Sequence, residues 1–243
     1  MTKPRLLDLF CGAGGAAMGY HRAGFEVVGV DIEPQPFYPF EFHRADVMDL
    51  RWDDPTSFFY GWPNDFDAIH ASPPCQKYST MGNRSRAEGN RRLPPAPDLL
   101  VPVMDLLAEL DLPYVVENVA GAKAMMPNAF ILSGGMFGLG VHRPRYFVSN
   151  MLILTPAKHK PPPHGIGVYG RAHDGRRLSN RKSNATYRAP RSLEEAQEAM
   201  GMDWADWHGT KEAIPPAYTE FIGRQLLKHL SVSHFTSNAQ EEQ

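Results

Sequence analysis

The first thirty residues contain the pattern that most constrains the fold of this chain. Residues 5–10 form a short apolar run typical of a buried strand, and residues 25–30 form a second. Between them lie a glycine-rich turn over residues 11–15 and a stretch with helical spacing over 16–23, which Gly24 ends. Strand, turn, helix and strand in this order form a βαβ unit with two parallel strands. The chain is therefore predicted to fold as a doubly wound α/β domain.

Later segments continue the alternation of strands and helices that this fold requires. Strands are predicted over residues 66–70, over 113–116 and near 45–47, helices over 99–110, 193–200 and 217–230, and a hairpin over 131–147. The polar tail from residue 231 is predicted to fray. At 243 residues the chain fits one domain, or one domain with a small insertion.

Composition excludes several classes of protein. Two cysteines in 243 residues argue against a disulfide framework and favour a reducing compartment. No apolar run approaches the length of a membrane span, and the N-terminus lacks the pattern of a signal peptide. The chain is thus expected to be a globular cytoplasmic protein.

Two basic stretches lie within a chain whose formal net charge is only −2. Residues 156–191 hold nine Lys or Arg against one acidic residue, and residues 77–92 hold five against one. The segment 156–191 has almost no apolar periodicity, so it cannot build a core of its own. Either it is a mobile solvated loop or it is an electrostatic surface for a polyanion, and the basic excess favours the second.

The glycine turn is suited to a nucleotide-like ligand. Glycine lets a ligand approach the backbone, and the following helix offers free N–H groups. Asp31, at the end of the second strand, can accept hydrogen bonds from ribose hydroxyls, and Ile32 offers an apolar face to an adenine ring. Asp46 can accept from the adenine amino group. An adenosyl ligand therefore fits, whereas the dinucleotide pattern G-x-G-x-x-G is not matched.

Cys75 follows the strand predicted over residues 66–70, directly after Pro73 and Pro74. Proline fixes φ and restricts the residue before it, so the backbone between the strand and the Cys75 thiol is expected to be rigid. Open α/β sheets bind ligands outside the carboxyl ends of their strands. From its position alone, Cys75 is equally well interpreted as a nucleophile or as a loop cysteine that packs.

Four motifs at strand ends resemble those of the DNA (cytosine-5) methyltransferases, here a compact bacterial or phage-type member. They are residues 8–15 (Asp-Leu-Phe-Cys-Gly-Ala-Gly-Gly), 73–76 (Pro-Pro-Cys-Gln), 117–119 (Glu-Asn-Val) and 143–145 (Arg-Pro-Arg). The resemblance covers residues 5–150 and 193–230. It implies a Rossmann-like S-adenosylmethionine (SAM)-dependent fold with a mostly parallel, doubly wound sheet and a very small target-recognition insertion. It also implies that the last helix packs beside the first.

The resemblance further implies a mechanism. Cys75 adds as a thiolate to C6 of a cytosine flipped out of double-stranded DNA, which makes C5 able to attack the donor methyl. Glu117 stabilises the ring at N3. Arg145 and Arg143 orient the base or lower the thiol pKa, and Asn118 positions the loop that carries Cys75. No metal ligands are implied.

The same resemblance assigns the binding residues. Those expected around SAM are Phe10, Gly12, Ala13, Gly14, Gly15, Asp31, Ile32, Asp46, Val47, Pro74 and Ile214. Those expected to contact DNA are Gln76, Ser79, Arg84, Arg86, Arg171, Arg176, Arg177, Arg181 and Lys182. The catalytic domain is expected over residues 1–150 and 192–232, the recognition region over 151–191, and a disordered tail over 233–243.

Three features depart from the family pattern. The recognition region is short, Val141 replaces the usual glutamine before the arginine motif, and Glu212 replaces an asparagine near the cofactor. A branch of the family that methylates transfer RNA shares the reduced recognition region, but it carries a further Cys-Phe-Thr motif that this chain lacks. A catalytically dead DNA-binding regulator is a third reading, although Cys75 and Glu117 are both present. The favoured interpretation is a monomeric DNA-modifying enzyme of a bacterium or phage-infected host, alone or paired with a restriction endonuclease.

Overall fold

The computed structural model describes residues 2–57, 59–75, 78, 98–157, 165–170, 177–179 and 186–241, with backbone alone for 177–179, 186 and 232–241. The strands are β1 (Arg5–Leu9), β2 (Glu26–Asp31), β3 (Glu41–Arg44), β4 (Ala68–Ala71), β5 (Tyr114–Asn118), β6 (Phe130–Leu132), β7 (Arg145–Ser149), β8 (Arg177–Ser179) and β9 (Thr186–Arg188). The α-helices are α1 (Gly15–Ala23), α2 (Leu100–Ala108), α3 (Leu193–Met200), α4 (Trp207–Glu212) and α5 (Pro216–Glu241).

Seven strands form one sheet in the order β3-β2-β1-β4-β5-β7-β6. Neighbours from β3 to β5 are parallel, whereas β7 runs antiparallel to both β5 and β6. The predicted doubly wound, mostly parallel α/β fold is thus confirmed. The chain order reverses direction between β1 and β4, which is where an open α/β sheet forms its ligand crevice. The loops that follow these two strands carry the glycine turn and Cys75.

The sheet is covered on both faces because its central strands alternate apolar side chains between them. One face, with Leu6 and Val27, packs against α1 and α5. The other, with Leu7 and Val28, packs against α2. Burial on both faces explains why these strands read as continuous apolar runs in the sequence.

Helices α1 and α5 pack with their backbones close together. The Thr219 hydroxyl donates a hydrogen bond to the Ala16 carbonyl at 2.8 Å. A Cβ placed on Gly19 would lie 2.0 Å from the Thr219 hydroxyl oxygen, so this crossing requires glycine. The last helix therefore returns to the first, as the sequence resemblance implied.

Two boundaries differ from the sequence-based expectations. The third strand spans residues 41–44 and ends before Asp46, whose side chain accepts a hydrogen bond from the Met48 N–H at 2.9 Å. Aspartate favours such capping of a short helical turn, here Val47–Asp49, over a strand position. The α5 backbone continues to Glu241, beyond the predicted end at residue 230 and through most of the expected disordered tail. The hairpin predicted over 131–147 is present as β6 and β7.

Among the helices in the described ranges, none combines the length and the apolarity needed to cross a bilayer.

Candidate active site

The turn after β1 is tied to the end of β2. Phe10 adopts a left-handed backbone conformation (φ 58°), which is uncommon for a residue with a side chain and frequent at functional sites. The Cys11 N–H donates to the Val30 carbonyl at 3.2 Å. The Gly12 N–H donates to Asp31 Oδ2 at 3.0 Å. The Glu33 N–H donates to Asp31 Oδ1 at 3.0 Å. Each carboxylate oxygen of Asp31 thus accepts one backbone hydrogen bond and keeps a second lone pair for a ligand.

The glycines of the turn have different surroundings. Gly14 is left-handed (φ 81°), and a Cβ there would come within 2.7 Å of Pro39, so the protein itself demands glycine. Ala13 and Gly15 are covered from the C-terminal part of the chain: Trp204 Nε1 donates to the Ala13 carbonyl at 2.7 Å, and a Cβ on Gly15 would lie 2.4 Å from the Ile214 carbonyl. At Gly12 a Cβ would meet nothing within 4 Å, so this position faces open space.

Exposed apolar side chains follow β2 and β3 on the same side of the sheet. Ile32 is 52% exposed and Met48 is 40% exposed. Val47 was expected to contact the cofactor, but it is 1% exposed and belongs to the core beneath the sheet. The exposed apolar side chain at this turn is therefore that of its neighbour Met48.

The loop that carries Cys75 is held between β1 and β5. The Ser72 N–H donates to the Leu9 carbonyl at 3.1 Å, which continues the β1–β4 pairing. Asn118 Nδ2 donates to the Pro73 carbonyl at 3.1 Å, while its Oδ1 accepts from the Val119 N–H at 2.9 Å. Asn118 therefore contacts the loop that it was expected to position. The Cys75 side chain remains partly exposed.

Glu117 and Arg145 form an ion pair beside this loop. Arg145 Nε lies 2.8 Å from Glu117 Oε1, and their side chains are 11% and 8% exposed. The approach is an ionic contact without the alignment of a hydrogen bond. Burial raises the pKa of Glu117, against the lowering effects of Arg145, Arg143 and the Ser72 hydroxyl. A carboxyl of this kind can hold a proton or release it according to its surroundings.

Cys75 is a thiol rather than a thiolate in the free protein. Burial raises its pKa, the Glu117 carboxylate raises it further, Arg145 lowers it, and Glu212 raises it. The lowering effect of Arg145 on the thiol pKa is therefore smaller than the raising effect of burial.

The Arg143 side chain is held by backbone carbonyls. It is 1% exposed, and its guanidinium donates to the carbonyls of Ala213, Val168 and Lys211. Three of its five N–H groups are thus used, which fixes its orientation. Arg143 joins the residues before β7 to two distant segments that flank the candidate site, and its role toward a base stays a prediction.

The described residues of the segment 151–191 pack against the rest of the chain. The Ile166 N–H donates to the Gly140 carbonyl at 2.8 Å, and β8 pairs with β9 in an antiparallel ribbon. Arg188, part of the basic stretch, is ion-paired with Glu195. Of the predicted DNA contacts, Arg177 lies in β8, where the backbone alone is described. The others lie outside the described residues: Gln76, Ser79, Arg84, Arg86, Arg171, Arg176, Arg181 and Lys182.

Replacing Glu212 by glutamine is expected to lower the pKa of Cys75, because Glu212 is one of the charges that raise it. Iodoacetamide should then alkylate Cys75 roughly twofold faster at pH 8, a small factor because Glu212 is exposed and screened by salt. Peptide mass spectrometry would follow the rate, with the buried Cys11 as an internal reference. Glu198→Gln, at an exposed position of α3, serves as the control. Its Cys75 should be alkylated at the parent's rate. Equal rates for Glu212→Gln and the parent at low salt would contradict the expectation.

Comparison with known proteins places the chain in a family. Residues 4–129, more than half of the chain, match the model of the C-5 cytosine-specific DNA methylases. The Type II methyltransferase M.XorII of Xanthomonas oryzae pv. oryzae is 32% identical over 129 residues, which cover 50% of this chain and 29% of that protein. M.AgeI of Thalassovita gelatinovora, also a Type II methyltransferase, is 25% identical over 187 residues, or 72% of this chain and 41% of that protein. The chain thus spans less than half the length of either relative.

A solved structure supports the same placement at the level of the fold. A prophage-encoded E. coli protein, classed as a DNA modification methyltransferase, superposes with a TM-score of 0.57 over 93% of this chain and 99% of its own. At 17% identity this likeness concerns the fold alone. The predicted Rossmann-like methyltransferase fold is confirmed, and the match over residues 4–129 shows that the chain belongs to the C-5 cytosine-specific DNA methylase family.

Proposed function

We propose that this protein transfers a methyl group from SAM to C5 of a flipped-out cytosine in double-stranded DNA, through a covalent bond between Cys75 and C6. The observation that carries the proposal is the meeting of three groups at the ligand-binding edge of the sheet. Cys75 lies at the end of β4, and the buried Glu117–Arg145 pair lies at the adjoining ends of β5 and β7. A thiol, a carboxyl with a raised pKa and a fixed cation are the groups that addition to a cytosine ring requires.

The residues after β1, β2 and β3 fit an adenosyl donor. Gly12 faces open space, Asp31 keeps unused lone pairs, and Ile32 and Met48 are exposed. When bound, SAM supplies an electrophilic methyl group on a sulfonium centre. The residues of this chain would hold it by backbone N–H groups at the turn, by the Asp31 carboxylate and by apolar contact with Ile32.

Each site residue would then have its own role in the reaction at the base. The Cys75 thiol would give its proton to a water as its sulfur bonds to C6, and electron density moves toward N3 and C5. Glu117 donates a hydrogen bond or its proton at N3, which its raised pKa allows. Arg145 holds Glu117 in place. C5 would then take up the methyl group, whose bond to the donor sulfur breaks. A water removes the C5 proton, the Cys75–C6 bond breaks so that the sulfur leaves as a thiolate, and any proton given at N3 returns to Glu117.

Target choice is proposed to rest on the short basic region around residues 151–191 and on the loop after Cys75. Because this region is short, few residues are available to read base edges, and phosphate contacts would supply much of the affinity for DNA. We further propose that the protein acts as a monomer in the cytoplasm of a bacterial or phage-infected cell. It would act either alone or paired with a restriction endonuclease that recognises the same site.

Incubation of the protein with SAM labelled in the methyl group tests the proposed activity. We expect label to enter cytosine-containing duplex DNA, and not a duplex in which 5-methylcytosine replaces every cytosine, because C5 is then already occupied. Transfer RNA incubated in parallel should remain unlabelled. Labelling of RNA alone would contradict the proposed substrate, and no labelling of either would contradict the activity.

A further inference from the structure

A row of largely buried polar groups runs along the face of the sheet that α1 covers. Neither the sequence motifs nor the proposed mechanism uses these groups. His70 lies in the middle of the otherwise apolar β4 and is fully buried. Its Nδ1 lies 3.0 Å from the hydroxyl of Tyr20, which is also fully buried in α1. Its Nε2 lies 2.9 Å from the hydroxyl of Ser72. A histidine bonded at both ring nitrogens, by the buried Tyr20 hydroxyl and the half-buried Ser72 hydroxyl, is held in one orientation.

This row ends at the active site. Strands β4 and β5 are parallel, with Ala71 opposite Val116, so the next pair in the register is Ser72 with Glu117. This register places the Ser72 hydroxyl beside the Glu117 carboxyl, whose pKa the hydroxyl lowers. Tyr20, His70 and Ser72 therefore connect the middle of α1 to the carboxyl group that lies beside Cys75.

The direction of the hydrogen bonds follows from the ion pair at the end of the row. In the free protein Glu117 is ion-paired with Arg145, and the charged carboxyl can only accept, so the Ser72 O–H is assigned as the donor. The proton that Glu117 would give at N3 is taken up only when the base binds. Ser72 Oγ then accepts from His70 Nε2–H, and His70 Nδ1 accepts from the Tyr20 O–H. Burial lowers the pKa of His70 to about 3, so the ring is neutral and carries this single proton. The protons are assigned by this reasoning, and every donor in the row points toward Glu117.

We propose that the Ser72 hydroxyl, aligned by His70 and Tyr20, is a positioning group that holds the Glu117 carboxyl in the orientation in which it meets Arg145 beside Cys75. The inference rests on the proposed function, since it assigns a supporting role to residues behind the proposed acid. Ser72 acts through Glu117 and does not touch the base.

Several groups face Glu117 besides Ser72. Arg145 and Arg143 approach from β7 and the residues before it, Cys75 from the loop after β4, and Tyr218 from α5. The two arginines and the Ser72 hydroxyl favour the carboxylate, whereas burial favours the acid. Removal of the hydroxyl therefore raises the pKa of Glu117, because a donor to the charged form is lost.

The replacement Ser72→Ala tests the role. We expect kcat to fall about tenfold, as is typical for the loss of one hydrogen bond to a charged group, with KM for DNA and for SAM unchanged. The limb of the pH–rate profile due to Glu117 should move to higher pH. Ser72→Thr keeps a hydroxyl and should restore both quantities. Ser149→Ala removes a hydroxyl bonded to the Tyr114 carbonyl at 2.7 Å, at the far end of β5, and should change neither.

Two outcomes would overturn the inference. One is a Ser72→Ala variant with the kcat and the pH profile of the parent. The other is a Ser149→Ala variant that reproduces the same losses, because the effect would then be a general response of the strands to a missing hydroxyl.

The tautomer of His70 can be measured whether or not the protein methylates DNA, and it tests the direction of the hydrogen bonds. Nitrogen-15 NMR of the parent should show His70 protonated at Nε2, and Tyr20→Phe should perturb the Nδ1 resonance. Protonation at Nδ1 would overturn the proposed direction of the row. If the parent protein does not label DNA, the proposed function fails, while this measurement still decides whether the row donates toward Glu117.

Discussion

Replacement of Cys75 by serine should abolish methyl transfer while SAM binding stays close to that of the parent. A serine hydroxyl has a far higher pKa than a thiol and is a weaker nucleophile, so the rate should fall by at least about 10³-fold. Most of the proposed donor site lies after β1 and β2, in separate loops from Cys75, and Pro74 is its one expected member on the Cys75 loop. Transfer of labelled methyl groups gives the rate, and titration calorimetry gives the affinity for SAM.

Cys11→Ala is the matched control for this variant. Cys11 is 7% exposed and its backbone, not its thiol, bonds to the end of β2. The control should keep most of the parent's turnover. A Cys75→Ser protein that still methylates DNA would remove the nucleophile from the account, and one that no longer binds SAM would make Cys75 part of the donor site.

Replacement of Glu117 by glutamine should lower kcat by about 10²- to 10⁴-fold, the usual range for loss of a general acid. The amide can still donate a hydrogen bond but cannot give up a proton at N3. The variant should also differ from the parent in how the free energy of unfolding depends on pH. Burial raises the pKa of Glu117 above its ordinary value of 4.5, so the folded protein binds this proton more tightly than the unfolded chain does.

The sign follows from that difference. The contribution of Glu117 to stability is fully present below pH 4.5 and is lost as the pH rises through the pKa of the folded state. Glu117→Gln should remove this loss, so its free energy of unfolding, measured in urea from pH 4 to pH 8, should fall less steeply than that of the parent. Glu109→Gln, at the exposed end of α2, should keep the parent's slope. Identical slopes for the parent and Glu117→Gln would show that the carboxyl is not held with a raised pKa.

The parts of the fold that the sequence predicts are those governed by local pattern. The parallel strands β1, β2, β4 and β5 are short apolar runs, and the turns after β1 and β4 are marked by glycine and proline. Their position at strand ends places the glycine turn and Cys75 at one edge of the sheet, as predicted. The bounds of β3 are harder to predict from the sequence, because this strand is short, lies at the edge of the sheet and contains the polar residues Glu41, His43 and Arg44.

The parts that the sequence does not predict depend on contacts between distant residues. Arg143 resembles a catalytic residue in its motif, but its three carbonyl partners lie 25 to 70 positions away. His70 is visible as a polar residue in an apolar run, yet its partner Tyr20 is 50 positions away on a helix. Arg188 adds to the count of basic residues, whereas its charge is balanced by Glu195. A net charge of a segment cannot show such pairing.

The most direct test of the central claim is to trap the covalent bond to Cys75. Duplex DNA containing 5-fluorocytosine at the methylated position should form a stable adduct with the protein in the presence of SAM, because fluorine cannot leave C5 as a proton does. Digestion and mass spectrometry should place the nucleotide on the peptide that contains Cys75, and Cys75→Ser should form no adduct. An enzyme that methylates ordinary duplex DNA but yields no adduct, or an adduct on another residue, would contradict attack by Cys75.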